Sequence, residues 1–378
     1  SNMVTALQTI SSSRPAKTIG RLVGIGGMVT AGLILSFYSI VAGWMLAFML
    51  EPMAVVLGLS DLSAWLTEFS LVRNIGFAAL FVFLTVLIIS AGVEQGIEKW
   101  SSRLMPSLFI LMIALIIYVL TQDGAMEGLR HYLVPDFSQI TSPKLIVSAM
   151  GQAFFSMSLG VGTMLVYGSY IRADENLPVV GALVTLTDTS VAFLAGLLVL
   201  PAIFVAQEVG FTIYAESGNL IAGLDLILKL LPALFEGMGV TGLFIGFVFF
   251  VLMSIAAVTS SISMLEVPVS YAVEAHQVDR NKATRLVGLV VLTISTLICL
   301  NFDSLFGFVI TMTTERAQPL LSMMLCVFAG WVFYRNSILQ ELKSGSPDVE
   351  QGMFWKIWPV YVKFFCPVLI LLTFAQGF

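Results

Sequence analysis

Gly151-Gln152-Ala153-Phe154-Phe155-Ser156-Met157-Ser158-Leu159-Gly160-Val161-Gly162-Thr163-Met164 is the stretch whose reading decides the fold. It lies inside an apolar segment, 145–170, long enough to cross a membrane. Its middle suits a lipid-facing helix poorly, because two serines and two glycines fall within seven residues. A helix of that composition is expected to break over 156–162. A broken intramembrane helix exposes backbone groups that can hold an ion or a polar substrate. Small residues also permit close helix packing, so the glycines and serines alone leave both readings open.

The rest of the chain supports a membrane setting. Of 378 residues, 58% are hydrophobic and only 11% are charged, against roughly 25% charged in a soluble domain. With a mean hydropathy of +0.97, the chain reads as an all-α polytopic membrane protein. Nothing in its basic residues suggests nucleic acid. Cys299, Cys326 and Cys366 lie in apolar segments without metal-ligand spacing and read as small hydrophobes. His131 and His276 fall in loops, and neither a zinc-protease helix, a phosphate-binding loop nor a nucleophile elbow occurs. An enzyme is therefore not expected.

Nine spans are expected, near 20–50, 74–95, 104–121, 145–170, 178–207, 240–274, 284–302, 305–333 and 355–375. Together, 20–375 reads as one transmembrane domain, preceded by a cytoplasmic loop segment, 1–19. Segment 219–236 carries Asp225 and Lys229 and reads as a loop helix rather than a span. An N-terminus inside puts twelve basic residues on the cytoplasmic side and five outside, in keeping with the positive-inside rule. The C-terminus is then outside, and the setting is a cell (inner) membrane. Arg14, Lys17 and Arg21 precede a span too long for a signal peptide.

Three further features carry chemistry. Thr259, Ser260, Ser261 and Ser263 place four hydroxyls in five residues of the sixth span. Neutral oxygens of this kind suit a hard cation such as Na⁺, although serine and threonine also bond back to their own helix. Asp188 is an acid within the fifth span, where a charge is costly and defaults to a functional reading. Tyr38 places a phenolic hydroxyl in the first span, where it needs a partner: a substrate carboxylate or a neighbouring carbonyl. Glu266 and Glu274 lie towards the cytoplasmic end of their span, where snorkelling or an ion pair is expected.

In this order the chain resembles the neurotransmitter:sodium symporter family, especially its bacterial amino-acid members. The matching motifs are Phe37-Tyr38-Ser39-Ile40-Val41-Ala42-Gly43-Trp44, Gly96-Ile97-Glu98-Lys99-Trp100 with Met105-Pro106, Gln152 to Gly162, Asp188 to Gly196 with Pro201, and Thr259-Ser260-Ser261-Ile262. The resemblance implies an inverted-repeat transporter fold. The nine spans would be helices three to eleven, with the first repeat incomplete, so that missing N-terminal helices, or a partner supplying them, would be required.

The resemblance also implies roles. Tyr38 would bond the substrate carboxylate, Phe155 would cover the substrate, and Ser158 would line the pocket with Ile34, Val161 and Met264. Ser156 and Asp188 would ligate a first sodium ion. Ala256, through its carbonyl, would join Thr259 and Ser260 around a second. Gln152 belongs to an outer gate, and Gly96 with Pro106 to a cytoplasmic unwinding of the third span. An acid at 188 could replace the charge other members take from chloride, so chloride is not expected to be required. Ala192 weakens that inference, and the outer-gate acid falls at Ile310 rather than at nearby Glu315.

The implied activity is sodium-coupled symport of an amino acid or related small amine by alternating access, with the lipid bilayer and a small-molecule substrate as partners. This chain would be a fragment that neither transports nor binds sodium tightly alone. Two other readings stand: a proton-coupled amino-acid permease with Asp188 as carrier, and a non-transporting remnant or split subunit.

Overall fold

A computed structural model describes residues 2–214, 220–221 and 223–376. Among these, eighteen α-helices and short 3-10 and π-helical turns account for the regular structure, apart from one isolated bridge between Tyr214 and Leu220. In chain order the helices are α1 (Met3–Thr9), α2 (Arg14–Val56), α3 (Ser60–Thr67), α4 (Leu71–Ser90), α5 (Lys99–Leu120), α6 (Ala125–Leu133), α7 (Pro143–Ser156), α8 (Thr163–Gly168) and α9 (Leu177–Glu208). There follow α10 (Gly223–Asp225), α11 (Leu231–Gly237), α12 (Gly239–His276), α13 (Arg280–Leu300), α14 (Phe302–Ile310), α15 (Gln318–Val327), α16 (Arg335–Gly345), α17 (Met353–Val360) and α18 (Cys366–Gln376).

Seven helical segments are long and apolar enough to span a membrane, and Phe302–Val332 makes an eighth before a 97° turn into α16. The expected span at 145–170 is present only as α7 and α8, whose 14 and 6 residues are each too short to cross. Glycine geometry is the reason, and it falls where the sequence indicated.

Two long helices form the spine. α2 runs for 43 residues, starting under a Ser13 cap that accepts from the Ala16 amide and carrying Pro15 in its first turn. At about 1.5 Å per residue it exceeds the ~30 Å hydrocarbon core, so it tilts or projects. α12 packs along it, and α4 and α13 close the other side. Several buried hydroxyls in this bundle bond within their own helix or to a neighbouring one, while Ser254 Oγ on α12 has no partner among the described residues. Ser39 donates to the Leu35 carbonyl at 2.6 Å, Ser295 donates to the Ser36 carbonyl at 2.7 Å, and Thr85 pairs with Ser261 at 2.8 Å.

Three boundaries differ from expectation. Segment 1–19 is not a bare loop: Met3, Val4 and Leu7 lie on one stripe of α1 and are buried on α2, which itself begins at Arg14. The third span starts earlier, with a π-helical turn at Val93–Glu98 leading into Lys99–Leu120. Its early turns carry Lys99 and Arg103, charges that a hydropathy window rejects. The loop helix begins within described residues at Gly223; Asn219 and Ala222 of the expected segment lie outside them. It buries Leu226, Leu228, Leu230, Leu231, Leu234 and Phe235, while Asp225 and Lys229 pair at 2.6 Å on its exposed face.

Candidate ion and substrate site

The break occupies 157–162. Ser158 has φ 49°, Gly160 φ 86° and Gly162 φ 88°, three left-handed residues that no right-handed helix accommodates. Glycine takes that conformation without penalty; Ser158 takes it at a cost and is the one non-glycine in the stretch to do so. The Ser158 carbonyl accepts from the Thr163 hydroxyl at 3.1 Å. Gly160 lies so close to α15 that a Cβ there would meet the Gln318 carbonyl oxygen and the Ser322 Oγ at 2.6 Å.

Across from the break, Asp188 sits on α9. The Ser156 hydroxyl donates to both of its carboxylate oxygens, at 2.7 and 2.9 Å. The two residues assigned to one ion, 32 positions apart in sequence, therefore meet in space. They lie on an open face: no residue of α7 is buried, and burial on α9 begins only at Leu198. Phe155 is 42% exposed and Gln152 is exposed, so neither covers a pocket in this arrangement.

The second hydroxyl group stays within an unbroken helix. Thr259 Oγ1 donates to the Ala256 carbonyl at 2.9 Å, and Ser261 donates to the Val258 carbonyl at 2.8 Å. Helix back-bonding is thus the arrangement present here. Ser260 differs, since its side chain lies beside the Tyr38 hydroxyl on α2. Tyr38 also meets Phe81 edge-on, with centroids 6.4 Å apart. Ile34 and Val161 are buried in the same apolar cluster, and Met264 packs against it. α5 continues through Pro106 without interruption, while Gly96 lies in the π-helical turn, where a Cβ would stand 2.0 Å from the Ile88 carbonyl oxygen.

A third cluster lies at the far end of α12. Glu266 is fully buried and pairs with Arg280 at 2.6 Å, and Tyr170 donates to it at 2.5 Å. Arg280 also donates to the Ile89 carbonyl at 3.0 Å, tying α13 to α4. Glu274, two turns on, accepts from the Asn2 backbone amide at 2.7 Å and from the Asn2 side chain at 3.0 Å. The ion pair expected for Glu266 is present; Arg280 and Tyr170 as its partners were not legible, because each lies in a different segment.

Gln318 was missed altogether. Its Nε2 donates to the Phe154 carbonyl at 2.9 Å, at the end of α7. The available signal was an amide inside an apolar span, masked by the adjacent Glu315-Arg316 pair. Among the described residues no group of three or more His, Cys, Asp or Glu side chains could hold a metal ion, so a bound cation here would rest on hydroxyl and backbone oxygens around one carboxylate.

These features define a helical membrane transporter with a broken span at its site. The chain belongs to the sodium:neurotransmitter symporter family, whose model matches residues 69–378. It is 31% identical over 391 residues to an uncharacterized sodium-dependent transporter, YhdH, of Bacillus subtilis, covering 99% of this chain and 83% of the relative. A second uncharacterized sodium-dependent transporter, from Haemophilus influenzae, is 31% identical over 376 residues, covering 94% of this chain and 79% of the relative. The crystal structure of MhsT in complex with L-phenylalanine superposes with a TM-score of 0.82 at 30% identity, covering 100% of this chain and 85% of that one. The protein is accordingly a multi-pass, sodium-dependent transporter of the inverted-repeat fold and not an enzyme.

Proposed function

We propose that the protein carries out sodium-coupled symport of an amino acid by alternating access. The observation that carries this reading is the Ser156–Asp188 contact across the break, at 2.7 Å. It supplies one charge and one hydroxyl beside an unwound backbone, the donor set a dehydrated Na⁺ needs. In this reading Ser156 and Asp188 hold a first ion, and the Ala256 carbonyl with Thr259 and Ser260 holds a second. Tyr38 bonds the substrate carboxylate, and its nearness to Ser260 would set substrate beside the second ion. Coupling then means that each ligand binds better with the other present.

Ser158, Phe155, Ile34, Val161 and Met264 would shape a pocket for an apolar or aromatic side chain, in line with the L-phenylalanine bound to MhsT. Gln152 would serve the outer gate, and Gly96 and Pro106 a cytoplasmic water path. The open faces of α7 and α9 would be covered by further apolar helices, which exclude lipid and water from the ion. The N-terminus and the Glu266–Arg280 cluster would face the cytoplasm of an inner membrane, with the C-terminus outside.

The test is uptake of L-phenylalanine and other amino acids into proteoliposomes. Uptake driven by an inward sodium gradient, undiminished when gluconate replaces chloride, is expected. Uptake without sodium, driven by a pH gradient, would refute the reading and favour Asp188 as a proton carrier.

A further inference from the structure

The unwound stretch has a second side, away from Asp188, that packs against α15. Behind 157–162 stands α15, preceded by a π-helical segment, Thr311–Ala317. Such segments are rare and frequent at functional sites. Two contacts join α15 to the break. One is steric: Gly160 meets the Gln318 carbonyl and Ser322 with no room for a side chain. The other is polar: Gln318 Nε2 donates to the Phe154 carbonyl at 2.9 Å. That carbonyl already accepts from the Leu159 amide at 3.0 Å, which closes the end of α7. The Gln318 bond therefore grips the half-helix that carries Phe155 and Ser156 at the point where its own hydrogen bonding runs out.

The other end of the same amide is unused. Gln318 is 2% exposed, and its Oε1 has no hydrogen-bond partner. A buried acceptor without a partner is costly, and native structures rarely keep one without a reason. A cavity of about 230 Å³ adjoins the break, bounded by Phe154, Ser158 and Leu159 on one side and by Ser322, one turn beyond Gln318, with Leu325 and Cys326 on the other. The break thus has free volume behind it, and the residue that carries the spare acceptor packs against Gly160 within that break.

We propose that Gln318 is the latch of the broken span, a positioning residue with two engagements. In one, its N–H holds the Phe154 carbonyl, as seen here. In the other, its Oε1 accepts from an amide of 158–162 once that stretch settles back into the cavity. The depth of the Ser156 and Ser158 oxygens in the site, and so the affinity for sodium, is set from α15. This rests on the sodium reading of Ser156 and Asp188.

The test is hydrogen–deuterium exchange of peptides covering 154–163 in the detergent-solubilised transporter, in potassium and across a sodium titration, for wild type and Gln318→Met. Methionine keeps the volume and removes both bonds. In potassium, the variant is expected to exchange about fivefold faster over 154–163, the loss of one modest hydrogen bond, with exchange elsewhere unchanged. Sodium should slow wild-type exchange in this stretch, and the half-effective sodium concentration should rise about fivefold in the variant. Equal exchange in potassium overturns the latch, as does a rise spread over the whole protein with a lowered melting temperature. A wild type blind to sodium would instead sink the sodium reading, leaving the potassium comparison to decide the latch.

Discussion

Two stretches rich in small polar residues, 156–162 and 259–263, end in opposite structures. The first carries two serines and two glycines and breaks its helix; the second carries four hydroxyls and stays helical throughout α12. In the second, Thr259 and Ser261 satisfy themselves on carbonyls three residues back, at 2.9 and 2.8 Å. In the first, Ser158, Gly160 and Gly162 turn left-handed, and the chain cannot continue as a right-handed helix. Hydroxyl density alone does not unwind a membrane helix; left-handed residues do.

Gly160→Ala is the strongest way to break this contrast. A Cβ at φ 86°, 2.6 Å from the Gln318 carbonyl oxygen, must push the unwound stretch off α15. Steady-state sodium-dependent uptake is expected to fall about a hundredfold, near 3 kcal/mol of combined strain and displacement; wild-type uptake would show that the break is free to relocate.

Arg280→Met tests the other end of the molecule. It leaves the fully buried Glu266 with the Tyr170 hydroxyl still bonded to it and removes the tie to the Ile89 carbonyl. Destabilisation of about 3 kcal/mol is expected, read as a lower melting temperature in detergent. An unchanged melting curve would show that water reaches the carboxylate.

Asp188→Ala removes the acceptor of the Ser156 hydroxyl. Half-maximal uptake should require about tenfold more sodium, the scale of a charge-assisted hydrogen bond. Thr259→Ala combined with Ser260→Ala should shift the sodium requirement less, about fivefold, because neutral hydroxyls contribute less than a carboxylate. Unchanged sodium dependence in the double variant would remove 259–263 from the ion sites and sharpen the contrast into one functional and one structural stretch.

The smallest expected effect concerns the wall behind the break. The Cys326 and Cys366 thiols lie close to each other where α15 packs on α18, while Cys299 is buried elsewhere. Copper–phenanthroline should join Cys326 to Cys366. Tryptic cleavage after Arg335, Lys343 or Lys356 would then leave the two fragments linked until reduction. Separate fragments after oxidation would show that α15 and α18 are not apposed as described.

Much of this was legible in order along the chain. Span positions follow from runs of apolar residues that must be about twenty long, and the break follows from glycines in the middle of one. Asp188 and the hydroxyl group of α12 stood out because charge and polarity are costly in lipid. The boundaries at Met3 and Lys99 were less legible: the first is a short helix stabilised by packing on α2, and the second begins with charges a hydropathy window rejects.

The sequence by itself determined a helical, membrane-spanning chain with one interrupted span and a small set of polar residues kept in an apolar setting. Those are local properties, set by hydropathy and backbone preference. Only the tertiary structure decided who meets whom. It placed Ser156 on Asp188, Tyr38 on Ser260, Glu266 on Arg280 and Gln318 on the Phe154 carbonyl. Each pair joins different segments of the chain. A buried polar group takes its partner from whichever helix packs beside it, and that choice is not written in its own neighbourhood.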